Sequence, residues 1–182
     1  VGLVRDLKEK AELVAKNREE TLRELSKRFD MWKTVVEQFL AELGDRYNSI
    51  LAGIGASGTV RLIGARDIEK AGVELLVSFK GGKMASLDSL SQSGGERSVA
   101  LMAFLLALQQ HIKSPFRAID EFDVHLDPRN REMVSDLITS SFRESAGEQY
   151  LAITPGQIGR VKGNVHVVVV QNISGTTEVS EV

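Results

Sequence analysis

Residues 93–110, "SGGERSVALMAFLLALQQ", carry the most informative pattern in the sequence. A glycine pair stands directly before a run in which nearly every position is apolar. Glycine is costly inside a helix, so a pair at a helix start indicates that the backbone there bends sharply or comes very close to another group. The pattern predicts a helix over residues 94–112 that is apolar on almost every side and therefore buried.

The composition excludes several classes of protein. Of the 182 residues, 42% are hydrophobic and 26% are charged, which predicts one globular domain plus an appendage. The formal net charge of −2 gives no overall basic field, and the absence of cysteine rules out disulfides and zinc-thiolate sites. The three histidines have no metal-ligand spacing, and the longest apolar run, about ten residues, is half of what a membrane crossing needs.

Upstream of this stretch, the pattern is helical and highly charged. Apolar residues alternate at steps of three and four, at Leu22, Leu25, Phe29, Trp32, Val36, Phe39 and Leu43. Such a stripe predicts a helical partner along its length. We expect residues 1–46 to be the root helix of a coiled coil whose other strand is missing from this chain, with Gly44 at or near the end of the pattern. An ordinary amphipathic helix on a core remains the alternative. The start at Val1, without Met, predicts a piece of a longer polypeptide.

Residues 47–182 are predicted to form an α/β domain. "TVRLIG" and "VELLVSF" alternate with period two and predict strands after the glycine-rich turn at 53–58. Further along, "FRAID", "QYLAIT" and "VHVVVVQ" are predicted strands, and "DPRNREMVSDLITSSF" is a predicted helix. This alternation indicates a mostly parallel sheet flanked by helices.

An acidic segment, "FRAIDEFDVHLDP" at 116–128, follows the buried helix. Asp120 and Glu121 come at the carboxyl end of a predicted strand, the edge where open α/β sheets bind ligands. One carboxylate there can hold a hydrated Mg²⁺ while the next orients a water, although a bare Asp-Glu pair is more often a solvated turn. Asp123 is predicted to belong to such a turn only. Asp127, before Pro128, is predicted to cap the next helix.

In this order, the motifs resemble the second half of an ATP-binding cassette ATPase. The resemblance is closest to the head domain of structural maintenance of chromosomes (SMC) proteins and their double-strand-break-repair relatives, and it covers about residues 22–170. The segments "QSGGERS", "PFR.IDE" and "QY..ITP" are most similar to the fifth and sixth eukaryotic SMC proteins, the DNA-repair branch, or a prokaryotic counterpart. The chain is thereby identified as the carboxy-terminal half of such a head, with the fold of its C-terminal lobe and an N-terminal coiled-coil helix.

The resemblance implies a role for each motif in an ATP- and Mg²⁺-dependent reaction. The family's signature motif, which clamps the γ-phosphate of ATP held by the opposite head of a dimer, corresponds to Ser93, Gly94 and Gly95. Asp120 matches the Walker B aspartate, which binds Mg²⁺ usually through water, and Glu121 matches the catalytic glutamate that polarises the attacking water. Asp127 matches the D-loop aspartate, which faces the counterpart's nucleotide.

Three departures from the family pattern matter. Gln92 stands where many members have leucine, and Pro155 stands where a switch histidine is expected. No Gly-x-x-x-x-Gly-Lys-Ser/Thr loop occurs, and the nearest candidate, "GASGTV", lacks the lysine. Without that loop the β- and γ-phosphates have no cradle. The resemblance therefore implies a separate amino-terminal lobe with the Walker A loop, and a chain that does not hydrolyse ATP by itself.

The implied partners are that amino-terminal lobe, a second SMC head, a kleisin-type subunit and DNA, with no membrane. The implied location is cytoplasmic and associated with the chromosome or nucleoid, or nuclear in a eukaryote. Two alternatives remain: an interaction module with vestigial ATPase residues, favoured by Pro155, and a metal-dependent nuclease. The nuclease ligands would be Asp120, Glu121, Asp123 and Asp127. Basic residues near the small strands either contact DNA phosphates or are solvated charges, namely Arg61, Arg66, Lys80 and Lys83.

Overall fold

The computed structural model describes residues 2–87, 93–124, 126–141, 147–156 and 165–181. Its helices are α1 (Gly2–Ala52), α2 (Gly94–His111) and α3 (Pro128–Ser141), with a short 3₁₀ turn at Ile68–Lys70. Its strands are β1 (Ala56–Ile63), β2 (Gly72–Phe79), β3 (Ala85–Ser86), β4 (Phe116–Asp120), β5 (Gln149–Ile153), β6 (Val168–Ile173) and β7 (Thr176–Glu181). The helices and strands expected from the sequence are therefore present, and Gln92 lies outside the described residues.

The first helix is exposed along most of its length and buried at its carboxyl end. Leu22 and Leu25, at the start of the predicted stripe, are exposed. The buried end presents residues at helical spacing to the core, namely Leu40, Leu43, Gly44, Tyr47 and Leu51. Within the described residues, packing covers the stripe at this end and leaves Leu22 and Leu25 at its start uncovered.

Gly44 does not end the helix, contrary to the expectation from the periodicity. Helical spacing continues beyond Leu43 in steps of four, at Tyr47 and Leu51, which pack against β1, and the helix extends to Ala52. A Cβ atom on Gly44 would lie 3.5 Å from the backbone nitrogen of Val60. This is an ordinary contact distance, so a side-chain methyl group would also fit between the helix and the strand at this position.

The buried end of α1 is held by Tyr47. Its side chain is fully buried, and its ring meets Phe104 of α2 edge-on, with centroids 6.1 Å apart. A Cβ atom on Gly58 of β1 would lie only 2.4 Å from Cε1 of Tyr47 and 2.6 Å from Cδ1 of Leu51. Burial raises the pKa of the Tyr47 phenol. This contact joins α1, β1 and α2 into one core.

The expectation of a mostly parallel sheet is wrong for the described residues. β1, β2 and β3 form an antiparallel sheet, and β6 and β7 form an antiparallel hairpin that was not expected from the sequence. Only β4 and β5 pair in parallel in these ranges, with α3 between them in the chain. The reason is connection length: the short links after β1 and β6 cannot carry the crossover that parallel pairing requires.

The central helix α2 is buried on one side only. Its core residues are Val99, Ala100, Ala103, Leu106 and Ala107. Leu101 and Leu105 on its other side are 47% and 41% exposed, so the expectation of burial on almost every side is only half correct. No helix within the described ranges is both long enough and apolar enough to span a bilayer.

The Gly58 contact predicts the stability of a variant. Gly58→Ala places a methyl group against two fully buried side chains, and overpacking of this kind costs about 1–3 kcal/mol. Gly72→Ala, on the paired strand β2, is the matched control because its Cβ would make only ordinary contacts, 3.5 Å from Cγ1 of Ile63. Urea denaturation of both variants measures the difference. Equal stability of the two would contradict the packing described for Tyr47.

Candidate functional site

The start of α2 is capped by its own serine. The Ser93 hydroxyl oxygen accepts a hydrogen bond from the Glu96 backbone nitrogen at 3.2 Å. In return, the Glu96 carboxylate accepts one from the Ser93 backbone nitrogen at 3.4 Å. This reciprocal capping box fixes the first turn. Ser93 and Gly94 nevertheless remain exposed, so the helix start faces solvent rather than the interior.

The start of α3 is capped by Asp127, as the sequence predicts. One carboxylate oxygen accepts a hydrogen bond from the Asn130 backbone nitrogen at 3.0 Å, and the other accepts one from the Asn130 side-chain amide. The backbone hydrogen bond from Asn130 is the main cause that lowers the pKa of the Asp127 carboxyl. The carboxylate thus stays charged at neutral pH, at an exposed position.

The two glycines of α2 do different things. A Cβ atom on Gly95 would lie 2.1 Å from the side-chain nitrogen of Asn130 and 3.3 Å from a carboxylate oxygen of Asp127. Gly95 therefore allows the first turns of α2 and α3 to meet. A Cβ atom on Gly94 would have no neighbour within 4 Å. Packing within the described residues gives no reason for glycine at position 94, which leaves room for an outside group.

A cavity of about 240 Å³ lies where these helix starts meet. Its walls include Ser93 and Glu96 of α2 and Asp127 and Asn130 at the start of α3. Two cations, Lys80 and Arg129, line it as well. The structure thus brings together two of the predicted motifs, the glycine-rich helix start and Asp127, beside positive charge. Asp120 and Glu121 do not line this cavity.

Asp120 and Glu121 lie together at the carboxyl end of β4. Asp120 is the last residue of the strand, and both residues are exposed. Glu121 adopts a left-handed backbone conformation, with φ of +50°. For a residue with a side chain this conformation costs about 1–2 kcal/mol. The hydrogen bond from the Glu121 nitrogen to the Ile153 oxygen, 2.9 Å long, holds it there.

The structure corrects the expectation for Asp123, which does not lie in a solvated turn. Its side chain is only 2% exposed, and Nε of Arg131 lies 3.1 Å from one of its oxygens, without hydrogen-bond geometry. Its carboxylate is therefore paired with a cation of α3. Among the described residues, no group of three or more histidine or acidic side chains is placed to hold a metal ion. The four-carboxylate nuclease site thus has no support in the geometry.

Several residues at this site were missed by the sequence reasoning. Asn130 links Asp127 to Gly95, and its spacing of three residues from a capping aspartate was the available signal. Arg129 lines the cavity, and Arg131 pairs with Asp123. Lys80, which the sequence indicated only as a candidate DNA contact, lines the cavity as well. No local pattern distinguishes these cations from ordinary surface charges.

The other sequence-based candidates have more modest surroundings. Arg61 makes a 2.5 Å ion pair with Glu74 across the β1–β2 hairpin, and this hydrogen bond lowers the pKa of the Glu74 carboxyl. Thr154 accepts a hydrogen bond from the Gly156 nitrogen at 2.9 Å, which closes a turn around Pro155. Pro155 itself is exposed.

Comparison with known proteins places this geometry in a family. Residues 4–178 match the family described as "RecF/RecN/SMC N terminal domain". The chain is 34% identical over 175 residues to structural maintenance of chromosomes protein 5 of Caenorhabditis elegans. The aligned region covers 91% of this chain and 16% of that protein. The chain therefore spans about a sixth of the length of this relative.

Two solved structures have the same fold. One, from work titled "Structural biochemistry of ATP-driven dimerization and DNA stimulated activation of SMC ATPases", has a TM-score of 0.66 and 25% identity, over 82% of this chain and 89% of that chain. The other is the Smc head domain of Pyrococcus furiosus with an extended coiled coil, bound to the C-terminal domain of ScpA. It has a TM-score of 0.66 and 25% identity, over 97% of this chain and 44% of that chain. The protein has the mixed α/β fold of an SMC ATPase head.

The comparison corrects one expectation from the sequence. The chain was expected to be the carboxy-terminal half of an SMC head, with the fold of its C-terminal lobe. The family that matches residues 4–178 is described as the N terminal domain, and this finding contradicts that assignment. The physical reason is that short motifs, and the lack of a phosphate loop, report which chemical groups a chain carries. They do not report its place along a longer polypeptide.

The contact between Gly95 and Asn130 predicts a coupled pair of variants. Gly95→Ala should destabilise the fold by about 1–3 kcal/mol, because the new methyl group overlaps the Asn130 amide. Asn130→Ala removes the overlapping atoms, so Gly95→Ala should cost at least about 0.5 kcal/mol less in that background. Gly94→Ala is the control, since its Cβ meets open space. Urea denaturation of the four variants measures the coupling, and strictly additive effects would show that the two helix starts do not meet in this way.

Proposed function

This chain belongs to the RecF/RecN/SMC family, and we propose that it supplies one wall and the hydrolytic carboxylate of a composite ATP site in an SMC-type ATPase head. The observation that carries the proposal is the start of α2. There, Ser93 and Gly94 are exposed and a Cβ atom on Gly94 would meet open space, so an anion can approach the first turn of the helix. Packing explains Gly95 but does not explain Gly94.

The rest of the phosphate site comes from outside these residues. No phosphate loop occurs in the 182-residue sequence, so another segment must cradle the β- and γ-phosphates. The Ser93 hydroxyl and the first N–H groups of α2 then bind the γ-phosphate from the opposite side. The positive end of the helix dipole favours the negative charge there. Because each head clamps the other's nucleotide, ATP joins two heads reversibly.

The residues after β4 provide the hydrolytic part. Asp120 would hold Mg²⁺ through water, and that ion would neutralise charge on the phosphates. Glu121 accepts a hydrogen bond from the attacking water and orients it towards the γ-phosphate. Its left-handed backbone, held by Ile153, fixes the direction in which the carboxylate leaves the strand. Asp127 lies beside the signature glycines and faces the partner's nucleotide.

The proposed assembly serves chromosome maintenance, as the name of the relative in Caenorhabditis elegans indicates, and DNA repair is proposed from the resemblance of the motifs to the repair branch. A second head is a proposed partner because a related structure concerns ATP-driven dimerization. A kleisin-type subunit is a proposed partner because another head is bound to ScpA. DNA and a segment with the phosphate loop complete the partners, and the location is on the chromosome. Residues 1–46 are proposed as the coiled-coil root, because the first part of their apolar stripe, at Leu22 and Leu25, is exposed.

A second candidate function is an interaction module whose ATPase residues are vestigial. The observation in its favour is Pro155, which has no side-chain donor for a γ-phosphate at the position of the expected switch histidine. This candidate leaves the strained Glu121 and the open space at Gly94 without a role. ATP turnover decides between the two functions.

We expect this chain alone to hydrolyse no ATP, because it has no group to cradle the β-phosphate. Mixing it with a phosphate-loop segment of the same ATPase should restore Mg²⁺-dependent turnover, which release of inorganic phosphate measures. Gly94→Ala in the mixture should lower turnover, since the methyl group occupies the space of the phosphate. If the mixture stays inactive while both parts are folded and associated, the vestigial function is correct instead.

In the assembled ATPase, Glu121→Gln should keep ATP-dependent head engagement but slow hydrolysis strongly, because an amide orients water poorly. Engagement is measured by sedimentation or cross-linking, and hydrolysis by phosphate release. Glu74→Gln, which removes a carboxylate from the β1–β2 hairpin, is the matched control. Hydrolysis by Glu121→Gln within about threefold of wild type, a change well under 1 kcal/mol in the barrier, would refute the role given to Glu121.

A further inference from the structure

The proposed function leaves one buried charged cluster unused. Asp123 lies two residues after Glu121, with its carboxylate almost fully buried beside the Arg131 guanidinium. One of its oxygens, Oδ1, is buried and has no hydrogen-bond partner within the described residues. Burying a carboxylate beside a single cation costs free energy of folding. A protein with a well-packed apolar residue at that position would often be equally stable. Protein stability alone therefore does not explain the presence of the Asp123–Arg131 ion pair.

The pair joins three segments of the chain. Asp123 belongs to the loop after β4, Arg131 belongs to α3, and Gly156 belongs to the turn after β5. A Cβ atom on Gly156 would lie 2.5 Å from Oδ2 of Asp123 and 3.0 Å from Nη1 of Arg131. The turn therefore sits directly on the ion pair, and it can do so only because position 156 has no side chain.

The same two loops meet a second time at Glu121. The Glu121 nitrogen donates its hydrogen bond to Ile153, the last residue of β5, three residues before Gly156. Within the loop, the Val124 nitrogen donates to the Glu121 oxygen at 3.3 Å, and the Leu126 nitrogen donates to the Asp123 oxygen at 3.1 Å. Asp123 and Glu121 are thus parts of one tightly turned segment. Movement of Asp123 would be transmitted to the strained backbone of Glu121.

We propose that Asp123 is a positioning residue for Glu121, which uses the Arg131 ion pair and the Gly156 turn to hold the loop after β4 in its strained conformation. In this role Asp123 need not contact the nucleotide or the attacking water. It acts by keeping the Glu121 carboxylate aimed, so that its loss lowers turnover without weakening nucleotide-dependent engagement. The proposal rests on the role proposed for Glu121.

The test uses the complete ATPase that contains this chain, with Asp123→Asn as the first variant. The amide keeps the shape of the side chain but removes the charge that holds Arg131. Turnover at saturating ATP should fall about tenfold or more, because small misplacement of a reacting group has effects of that order, while the ATP concentration for half-maximal engagement stays within about twofold. Gly156→Ala, which pushes on the same pair, should give the same signature. Glu74→Gln is the control, since it breaks an ion pair with Arg61 on another sheet.

A double variant separates positioning from a general structural role. Asp123→Asn should lower turnover no further when Glu121→Gln is already present, because a positioning residue acts only through the group that it positions. Any of three results would overturn the proposal. Asp123→Asn could lower turnover by the same factor with and without Glu121→Gln, it could leave turnover within about threefold of wild type, or it could weaken engagement in parallel with turnover. If Asp123→Asn does not fold, Gly156→Ala decides by the same criteria. If the ATPase with Glu121→Gln hydrolyses ATP at the wild-type rate, the proposed function fails. If only the proposal for Asp123 fails, Glu121→Gln still slows hydrolysis, so the two failures can be told apart.

Discussion

The contact between the first turns of α2 and α3 determines the shape of the candidate site. It exists because Gly95 has no side chain, so that Asn130 and the capping carboxylate of Asp127 can lie where a Cβ atom would be. Two helix starts, each capped by its own side chain, then share one cavity. Ser93 and Gly94 at the start of α2 are exposed, and the positive end of that helix dipole favours an approaching anion. One missing methyl group thus links local helix capping to the proposed binding of phosphate.

Packing in the rest of the fold holds α2 and the neighbouring loops in position for this contact. Tyr47 fixes the end of α1 against Gly58 and Phe104, which anchors α2 to the antiparallel sheet. The parallel pair β4–β5 brings two loops to one edge, and Glu121 and Ile153 tie those loops together. The long exposed part of α1 and the exposed side of α2 leave apolar faces that packing within the described residues does not cover.

The sequence predicted the parts of this structure that depend on local patterns. The start of α2 at Gly94, the strand that ends at Asp120 and the Asp127 cap follow from turn chemistry, period and capping preference, and all three are present. The burial of Asp123 could not be predicted, because it depends on Arg131 and on Gly156 of a distant turn. The different roles of Gly94 and Gly95 could not be predicted from the sequence either, because they depend on where Asn130 lies in the fold. The assignment to a carboxy-terminal half failed because motif chemistry carries no information about place in a longer chain.

In the proposed site, the γ-phosphate of ATP lies between the start of α2 and a phosphate loop that another segment provides. The most direct measurement is a structure of the assembled ATPase with Mg²⁺ and a non-hydrolysable ATP analogue. We expect γ-phosphate oxygens within about 3 Å of the Ser93 hydroxyl or the Gly94 nitrogen, on the side opposite the phosphate loop. An analogue enclosed by one head alone, with Ser93 and Gly94 still facing solvent, would contradict it.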